Sequence, residues 1–274
     1  MKIGVLVPLT ENIEEEFEKV YNYGMNCCQL ARWGSDIFTP EMAERLVKAS
    51  EKYDVEVTAL WCGWEGPAKW NFYEGPLTLG LVPPEYRFQR MQTLMKGSDF
   101  AKMINVNQMI THVGYIPEVP VTVEYNGVVN AVRAVANKCK ENGQYFLFET
   151  GQETPVTLKR MIEDVGTDNL GINLDSANLV CYGKANPVDA LDVFGEYVMN
   201  THIKDSLYPV NGRDLGEEVK VVEGKVDYPT LIKRLKELNY PGNLIIEREI
   251  SGEQQVKDIK DTKIYLEKIL ADLN

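Results

Sequence analysis

The stretch FLFETGQETP, residues 146–155, places a glutamate at the end of an apolar run and follows it directly with Thr, Gly and Gln. Apolar runs of this length are typical of buried strands, and the Gly and Pro that follow indicate a loop. Glu149 is therefore predicted to lie where a strand ends and a loop begins. The fold depends on how often this unit recurs along the chain.

The unit recurs from one end of the chain to the other, and no linker interrupts it. Eight apolar runs of strand length alternate with amphipathic stretches of helix length. The predicted strands are 2–8, 26–30, 55–61, 108–113, 144–149, 170–175, 198–203 and 243–248. Eight strand and helix units in one chain predict a single-domain α/β fold, the (β/α)8 TIM barrel, over residues 1–274.

Helix boundaries in the sequence agree with this reading. Thr39 is a predicted N-cap for TPEMAERLVKASEKY, Gly143 ends a second helical pattern, and Pro241 with Gly242 stops a third. A doubly wound open sheet is the structural alternative. It would favour a phosphate-binding G-x-G-x-x-G after the first strand, which VPLTENIEEEF lacks.

Composition limits the classes of partner. The 41 acidic residues against 29 basic ones give a formal net charge of -12, which argues against nucleic acid and anionic membrane. No segment reaches the length of a membrane span, and the run in MKIGVLVPLT is too short for a secretory signal. Five cysteines without a CxxC pair favour reduced thiols, and we expect a cytoplasmic protein.

Five successive predicted strands finish on a residue that can bind a cation or move a proton. These residues are His112, Glu149, Asp175, His202 and Glu247, and they include both histidines of the chain. The C-terminal ends of barrel strands face one shared pocket. Three carboxylates and one imidazole, from Glu149, Asp175, His202 and Glu247, predict a site for one divalent cation with positions left for substrate oxygens.

Each of these residues has a simpler interpretation. A lone carboxylate at a strand end most often caps the next helix or pairs with a Lys or Arg. Four acceptors that converge without a cation would repel one another, which weakens that interpretation for the set. His112 fits either the core or the pocket wall. Lys204 shares a strand face with His202 and either binds a substrate oxygen or neutralises the acidic cluster. Glu249 shares a face with Glu247 and ranks below it as a ligand.

The segment 62–87 is rich in Gly, Pro and aromatic residues. A connection of that length in a compact domain is usually functional or disordered, and its aromatic content argues against disorder. We interpret it as a lid over the site, with Trp61 and Trp64 near the substrate and Trp33 from the preceding loop in the same wall. An aromatic cluster that pins the loop or forms an oligomer contact is the alternative.

Arg87 and Arg90 lie one helical turn apart after this segment. Such a pair can hold an anionic group of a substrate. An exposed helical face explains the pair equally well, so the sequence leaves phosphorylation of the substrate open.

Several motifs together resemble the xylose isomerase-like TIM barrel superfamily, in particular its sugar phosphate isomerase/epimerase group. They are FETGQET, GINLDSANLVCYGKANPVDAL, VMNTHIKD and VEGKVDYPTLIKRLKELNYPGNLIIERE, with THVGYIP and LGLVP less sharply. The resemblance implies one divalent metal ion, commonly Mn, Mg, Co or Zn, at Glu149, Asp175, His202 and Glu247. In the ketose 3-epimerases of this superfamily the two glutamates also exchange a proton with substrate carbon, which implies catalytic roles for Glu149 and Glu247.

The chain departs from the family pattern in two places. Some sugar epimerases have a histidine three residues after the metal-binding aspartate, where this chain has Asn178, and the arginine that follows the metal histidine is missing from HIKDSLYP. Gln152, Asn178 and Lys204 are our candidates for this chain's substrate contacts. Endonuclease IV shares the barrel, but it needs a histidine-rich zinc cluster, which two histidines cannot supply.

The leading functional hypothesis is a divalent-metal-dependent sugar isomerase or epimerase. Its substrate would be a small sugar, ketose or sugar phosphate, and it would abstract a proton next to a carbonyl through an enediolate. A dehydratase of the inositol-catabolism type would use the same site. A non-catalytic sugar-binding barrel is the third hypothesis. The aromatic loops and the habit of the superfamily also suggest a homo-oligomer.

Overall fold

Eight parallel strands close into a barrel in the computed structural model, which describes residues 1–273. The barrel strands are β1 (Ile3–Pro8), β2 (Cys27–Arg32), β3 (Glu56–Cys62), β4 (Gln108–Thr111), β5 (Tyr145–Glu149), β6 (Leu170–Asp175), β7 (Val198–Ile203) and β10 (Leu244–Ile246). Each strand pairs with its neighbours in the chain, and β10 closes the ring on β1. The predicted (β/α)8 TIM barrel is confirmed.

The helices lie between successive strands. They are α1 (Ile13–Asn22), α2 (Pro40–Tyr53), α3 (Gly75–Thr78), α4 (Pro84–Met103), α5 (Val123–Glu141), α6 (Pro155–Val165), α7 (Ser176–Cys181), α8 (Pro187–Phe194), α9 (Tyr228–Glu237) and α10 (Glu253–Asp272). A short 3-10 turn follows α8, and a two-stranded antiparallel ribbon, β8 (Asp205–Ser206) and β9 (Glu218–Val219), forms in the connection after β7. Within residues 1–273, none of the helices combines the length and apolar character that crossing a membrane requires.

The predicted helix signals act as expected. Thr39 Oγ1 accepts a hydrogen bond from the Met42 amide at 3.2 Å, which satisfies one free N–H of the first turn of α2. That helix ends at Asp54, which adopts the left-handed conformation with a φ of 52°. Gly143, two residues after α5, has a φ of 73°, a conformation that glycine adopts without strain.

Six of the eight strands differ from the sequence prediction by one or two residues at an end. β6 and β7 span the predicted residues, but β4 ends at Thr111 and β10 at Ile246. His112 and Glu247 therefore lie one residue beyond their strands instead of at their last position. The shift leaves both side chains at the C-terminal end of the barrel, because one residue advances the chain by only about 3.3 Å.

The barrel interior is apolar in the middle and polar at the C-terminal mouth. Its packed layer consists of Ala59, Trp61, Ile110 and Leu147, with Leu6, Ala31 and Met199 against them. A Cβ at Gly171 would lie 2.6 Å from Leu147 and 2.7 Å from Met199, so a glycine is required for this layer to close. A second, larger core joins the outer strand faces to the helices. All five cysteines are free thiols.

Candidate active site

Four adjacent strands bring the predicted ligand set together at the C-terminal mouth. Glu149 ends β5, Asp175 ends β6, His202 lies next to last in β7, and Glu247 follows β10 directly. Asp175 and His202 are paired in register. One ligand atom from each of the four side chains lies within 4.8 Å of all the others. The geometry thus gathers the set into a single cluster.

His202 presents one ring nitrogen to the cluster and the other to Gln29. Nδ1 lies 2.9 Å from Glu149 Oε1 and 3.2 Å from Glu247 Oε2, whereas Nε2 lies 2.8 Å from Gln29 Oε1. An amide oxygen can only accept a hydrogen bond, so Nε2 carries a proton, and either a second proton on Nδ1 or a metal ion bound to the Nδ1 lone pair faces the carboxylates. Lone pairs facing one another repel unless a cation lies among them.

The carboxylates show the same need for positive charge. Asp175 Oδ1 accepts the Asn178 amide at 2.8 Å and caps α7, which is the simpler role that the sequence allowed. Asp175 Oδ2 and Glu247 Oε2 are buried, and Lys204 Nζ lies 3.0 Å and 3.1 Å from them. Buried carboxylate oxygens are normally satisfied or paired. Three carboxylates and one imidazole at this spacing fit a divalent cation, so the residues present suit the metal that the sequence predicts.

Burial and neighbouring charges shift the pKa of each residue in the cluster. Burial alone would raise the pKa of Glu247, but Lys204 and His202 hold it well below its usual range. The pKa of Glu149 is also lowered, because His112 and His202 outweigh its burial. Burial raises the pKa of Asp175 to about 7. Burial lowers the pKa of His202, yet Glu247 and Glu149 together raise it to about 10. Glu149 and Glu247 are thus ionised at neutral pH.

Lys204 is the fixed positive charge of the site. Its buried Nζ lies 3.0 Å from Asp175 Oδ2, 3.1 Å from Glu247 Oε2 and 3.0 Å from Glu249 Oε1. These neighbours raise the pKa of Lys204 well above its ordinary value despite its burial. Glu249 thus pairs with Lys204. The ammonium group is largely engaged by carboxylates.

Two further side chains surround Glu149. Trp61 Nε1 donates a hydrogen bond to Glu149 Oε2, and His112 Nε2 lies 3.3 Å from the same oxygen. Burial lowers the pKa of His112 more than Glu149 raises it, so its ring is neutral near pH 7. His112 Nδ1 is buried without a partner. His112 therefore lies in the pocket wall, one of the two places that the sequence left open.

A cleft of 390 Å³ opens above the cluster. The lining includes Trp61, His112, Glu149, Asn178 and Glu247, together with Trp33, Trp70, Tyr182 and Glu249. Among the other predicted contacts, Gln152 is buried and donates to Tyr182 Oη at 3.0 Å, so it acts on the cleft through Tyr182. Trp64 is buried beside Trp33 and is not part of the lining.

The long segment after β3 is held down by arginines, which the sequence interpreted differently. Arg90 is fully buried, donates to the carbonyls of Gly80 at 2.7 Å and Pro67 at 2.8 Å, and lies 5.0 Å from the ring of Trp64. Arg87 donates to the Leu81 carbonyl at 2.6 Å and to a neighbouring carbonyl. The interpretation of this pair as an anion site or an exposed face is wrong, because both guanidinium groups are used on backbone carbonyls.

Sequence reasoning missed Gln29, the partner of His202 Nε2. It is fully buried in β2, and its Nε2 lies 3.4 Å from Asn173 Oδ1. The signal was present in the run NCCQL, where the amide of Gln29 lies between apolar residues inside the strand. A buried amide requires hydrogen-bond partners, so such a residue in a barrel strand indicates contact with other polar groups inside the barrel.

Comparison with known proteins places this geometry in a family. The model of the xylose isomerase-like TIM barrel family matches residues 17–269. The chain belongs to that family. A crystal structure of a xylose isomerase domain protein from Planctomyces limnophilus is 31% identical, with a TM-score of 0.93 over 99% of this chain and 98% of that one. The resemblance drawn from the motifs is thereby confirmed.

More distant relatives share the fold. The uncharacterized protein MJ1311 of Methanocaldococcus jannaschii is 24% identical over 97% of this chain and 90% of its own length. A D-tagatose 3-epimerase-like protein is 20% identical, with a TM-score of 0.76 over 100% of this chain and 98% of that one. Sugar epimerases are thus among the structural neighbours. At these identities the likeness shows the fold alone.

Proposed function

We propose that the protein is a divalent-metal-dependent sugar isomerase or epimerase that moves a proton at a carbon next to a carbonyl. The observation that carries the proposal is the meeting of Glu149, Asp175, His202 and Glu247 within 4.8 Å at the floor of an open cleft. The presence of sugar epimerases among the structural neighbours supports it.

Glu149, Asp175, His202 and Glu247 would hold the metal ion. A bound divalent cation supplies a Lewis acid that polarises a substrate carbonyl and offsets negative charge on its oxygens. The donor set of carboxylate oxygens and one imidazole suits Mg²⁺, Mn²⁺, Co²⁺ or Zn²⁺. The identity of the metal stays open.

Glu149 and Glu247 are the proposed acid and base. Both line the cleft, and both are ionised at neutral pH, so either can accept a proton from a substrate carbon within reach. Trp61 and His112 hold the Glu149 carboxylate in place through its Oε2 atom. A carboxylate fixed in this way is aligned before substrate arrives, which lowers the cost of reaching the reactive geometry.

The remaining lining residues would bind and orient the substrate. His112 Nδ1 is a buried polar atom without a partner, and Asn178 and Tyr182 line the same cleft as His112. These groups can exchange hydrogen bonds with sugar hydroxyls. The wall of tryptophans around Trp61 reduces the access of water to Glu149, which strengthens the electrostatic interactions within the site.

Hydrogen exchange with solvent tests the proposal directly. The protein is loaded with Mg²⁺ or Mn²⁺ and incubated in deuterated buffer with a panel of ketoses and aldoses, and carbon-bound deuterium is read by NMR. We expect deuterium next to the carbonyl of a substrate with wild type, and at least a 1000-fold loss with E149Q or E247Q. The matched control is E163Q, which changes an exposed glutamate of α6. Equal exchange in wild type and E149Q would refute the role of Glu149.

The same experiment separates the other hypotheses. Release of water from the substrate would mean a dehydratase. Tight sugar binding without exchange would mean a non-catalytic barrel. Cytoplasmic location and a homo-oligomeric state stay predictions.

A further inference from the structure

The cleft extends beyond the metal cluster along an aromatic surface. Trp33 and Trp70 are 44% and 40% exposed, whereas Trp61 and Trp64 behind them are 7% and 2% exposed. Both exposed rings line the cleft. Large apolar rings left open to water inside a cleft mark a place where a ligand packs. We call this surface, formed by Trp33 and Trp70, the tryptophan shelf.

The tryptophan shelf is rigid. The Trp33 ring packs edge-on against Trp61 at 5.0 Å and against Trp64 at 5.2 Å. Trp70 packs edge-on against His112 at 5.2 Å. A Cβ at Gly63 would lie 2.5 Å from the Trp33 ring, so glycine is what allows Trp33 to approach the strand end this closely. The two rings are therefore positioned before any ligand binds.

A second lobe adjoins the shelf. It has a volume of 260 Å³, is lined by Lys204, Ser206 and Glu218, and shares Trp70 and Asn178 with the cleft above the cluster. The main lobe alone has 390 Å³. Cavities of roughly 300–1,000 Å³ hold ligands of drug size. The two lobes together therefore have a larger volume than one small sugar ring fills.

The charge of the cleft selects against anionic ligands. Among the described residues that line the main lobe, none is Lys or Arg, while Glu149, Glu247 and Glu249 all face it. Arg87 and Arg90 are engaged with backbone carbonyls, and Lys204 lies within 3.1 Å of three carboxylates. A phosphate group would meet net negative charge here. An uncharged molecule would not.

We propose that the cleft takes an uncharged glycoside of two rings, with one ring above the metal cluster and the second packed on Trp33 and Trp70. The C–H face of a pyranose ring is apolar and matches an exposed indole face, while its hydroxyls remain available to the polar lobe. This inference rests on the proposed function, since it names the substrate class of the same site. Where the ring above the cluster is the one whose anomeric carbon forms the glycosidic bond, the carbonyl of the proposed reaction lies on a ring carbon other than the anomeric one.

Equilibrium binding tests the shelf without requiring turnover. Titration calorimetry with magnesium-loaded protein compares cellobiose, maltose, lactose and trehalose with glucose, fructose and glucose 6-phosphate. We expect at least one disaccharide to bind 10-fold or more tightly than every monosaccharide, and glucose 6-phosphate to bind no more tightly than glucose. W33A and W70A should each weaken that disaccharide at least 10-fold, and by a larger factor than they weaken glucose. The control F88A removes an exposed aromatic ring on α4.

Three outcomes would overturn the proposal. The first is that no disaccharide binds more tightly than glucose. The second is that disaccharide affinity in W33A and W70A equals that of F88A. The third is that W33A or W70A dissociates an oligomer in light scattering, because the shelf would then be a subunit contact. Failure of the proposed function is read separately, as disaccharide binding that depends on the shelf but with no deuterium exchange into any carbonyl sugar.

Discussion

The barrel has a cavity of 390 Å³ at each end, and the two differ in chemistry rather than size. The cavity at the C-terminal mouth is lined by carboxylates, an imidazole and tryptophans, and His112 Nδ1 there has no hydrogen-bond partner. The cavity at the N-terminal end is lined mainly by amides and backbone, and its central pair is satisfied, with Asn200 Nδ2 donating to Gln108 Oε1 at 2.9 Å. A cluster of buried charged groups, and not volume, distinguishes the candidate site.

The physical reason lies in the direction of the strands. Side chains that follow the last residues of parallel strands converge on one axis, so residues far apart in sequence meet at the mouth. Like charges brought together in this way raise the energy of the fold unless a ligand compensates them. Charged groups converge in this way at the C-terminal mouth, whereas the N-terminal end contains a hydrogen-bonded pair of amides, Asn200 and Gln108.

The largest effect should follow from removing one ligand carboxylate. In D175N, Oδ1 can still cap α7, while the lost charge and the new amide hydrogens face Lys204 and His202. We expect metal affinity to fall more than 100-fold, measured by elemental analysis after dialysis and by calorimetry with Mn²⁺. The control D189N changes an exposed aspartate of α8. Full metal content in D175N would show that this carboxylate is not a ligand.

A smaller loss should follow from changing Gln29. Its Oε1 fixes the proton of His202 on Nε2, so Q29L would free the ring to rotate or change tautomer. Partners of metal-binding histidines typically contribute about 10- to 100-fold in metal affinity. We expect a loss in that range by Mn²⁺ calorimetry with the thermal unfolding midpoint of the metal-free protein little changed. Q29E keeps an acceptor oxygen and should restore most of the affinity. Equal losses in Q29L and Q29E would refute the positioning role.

The free energy of unfolding should depend on pH through Glu153, which lies in the loop after β5. Burial raises the pKa of this carboxyl to about 8, and its Oε1 has no partner. Between the ordinary pKa near 4.5 and about 8, the folded chain retains a proton that the unfolded chain loses, so its contribution to stability falls as pH rises through this window. E153Q stays neutral and should avoid that loss.

Urea unfolding of wild type and E153Q at pH 5 and pH 8 measures the difference. Each pKa unit is worth about 1.4 kcal/mol, and water that enters on ionisation reduces the full value, so we expect E153Q to gain about 2 kcal/mol relative to wild type between the two pH values. E163Q, at an exposed glutamate of α6, should show no such gain. A constant difference between E153Q and wild type across this range would mean that Glu153 is already ionised at pH 5.

The comparison also shows what the sequence could predict. The strands that carry the ligand set could be predicted, because a buried parallel strand is a continuous apolar run. The polar residue that ends the run lies at the C-terminal mouth of the barrel. Leu170–Asp175 and Val198–Ile203 agree with prediction to the residue. The hydrogen bonds of the loops could not be predicted from the sequence. The partners of Arg90 are carbonyls 10 and 23 residues away, and nothing in the local sequence encodes which carbonyls the folded loop presents.

The smallest effect should come from the N-terminal cavity. Q108A removes the acceptor of the Asn200 amide and leaves a buried donor that solvent in the cavity can still reach. We expect a loss of about 1 kcal/mol in the free energy of unfolding, the usual net value of one hydrogen bond. Mn²⁺ affinity and sugar exchange should stay within 2-fold of wild type, because the apolar layer around Leu147 separates Gln108 from the mouth. A 10-fold or larger change in either would show that the two ends of the barrel are coupled, and the N-terminal cavity would then need a functional explanation as well.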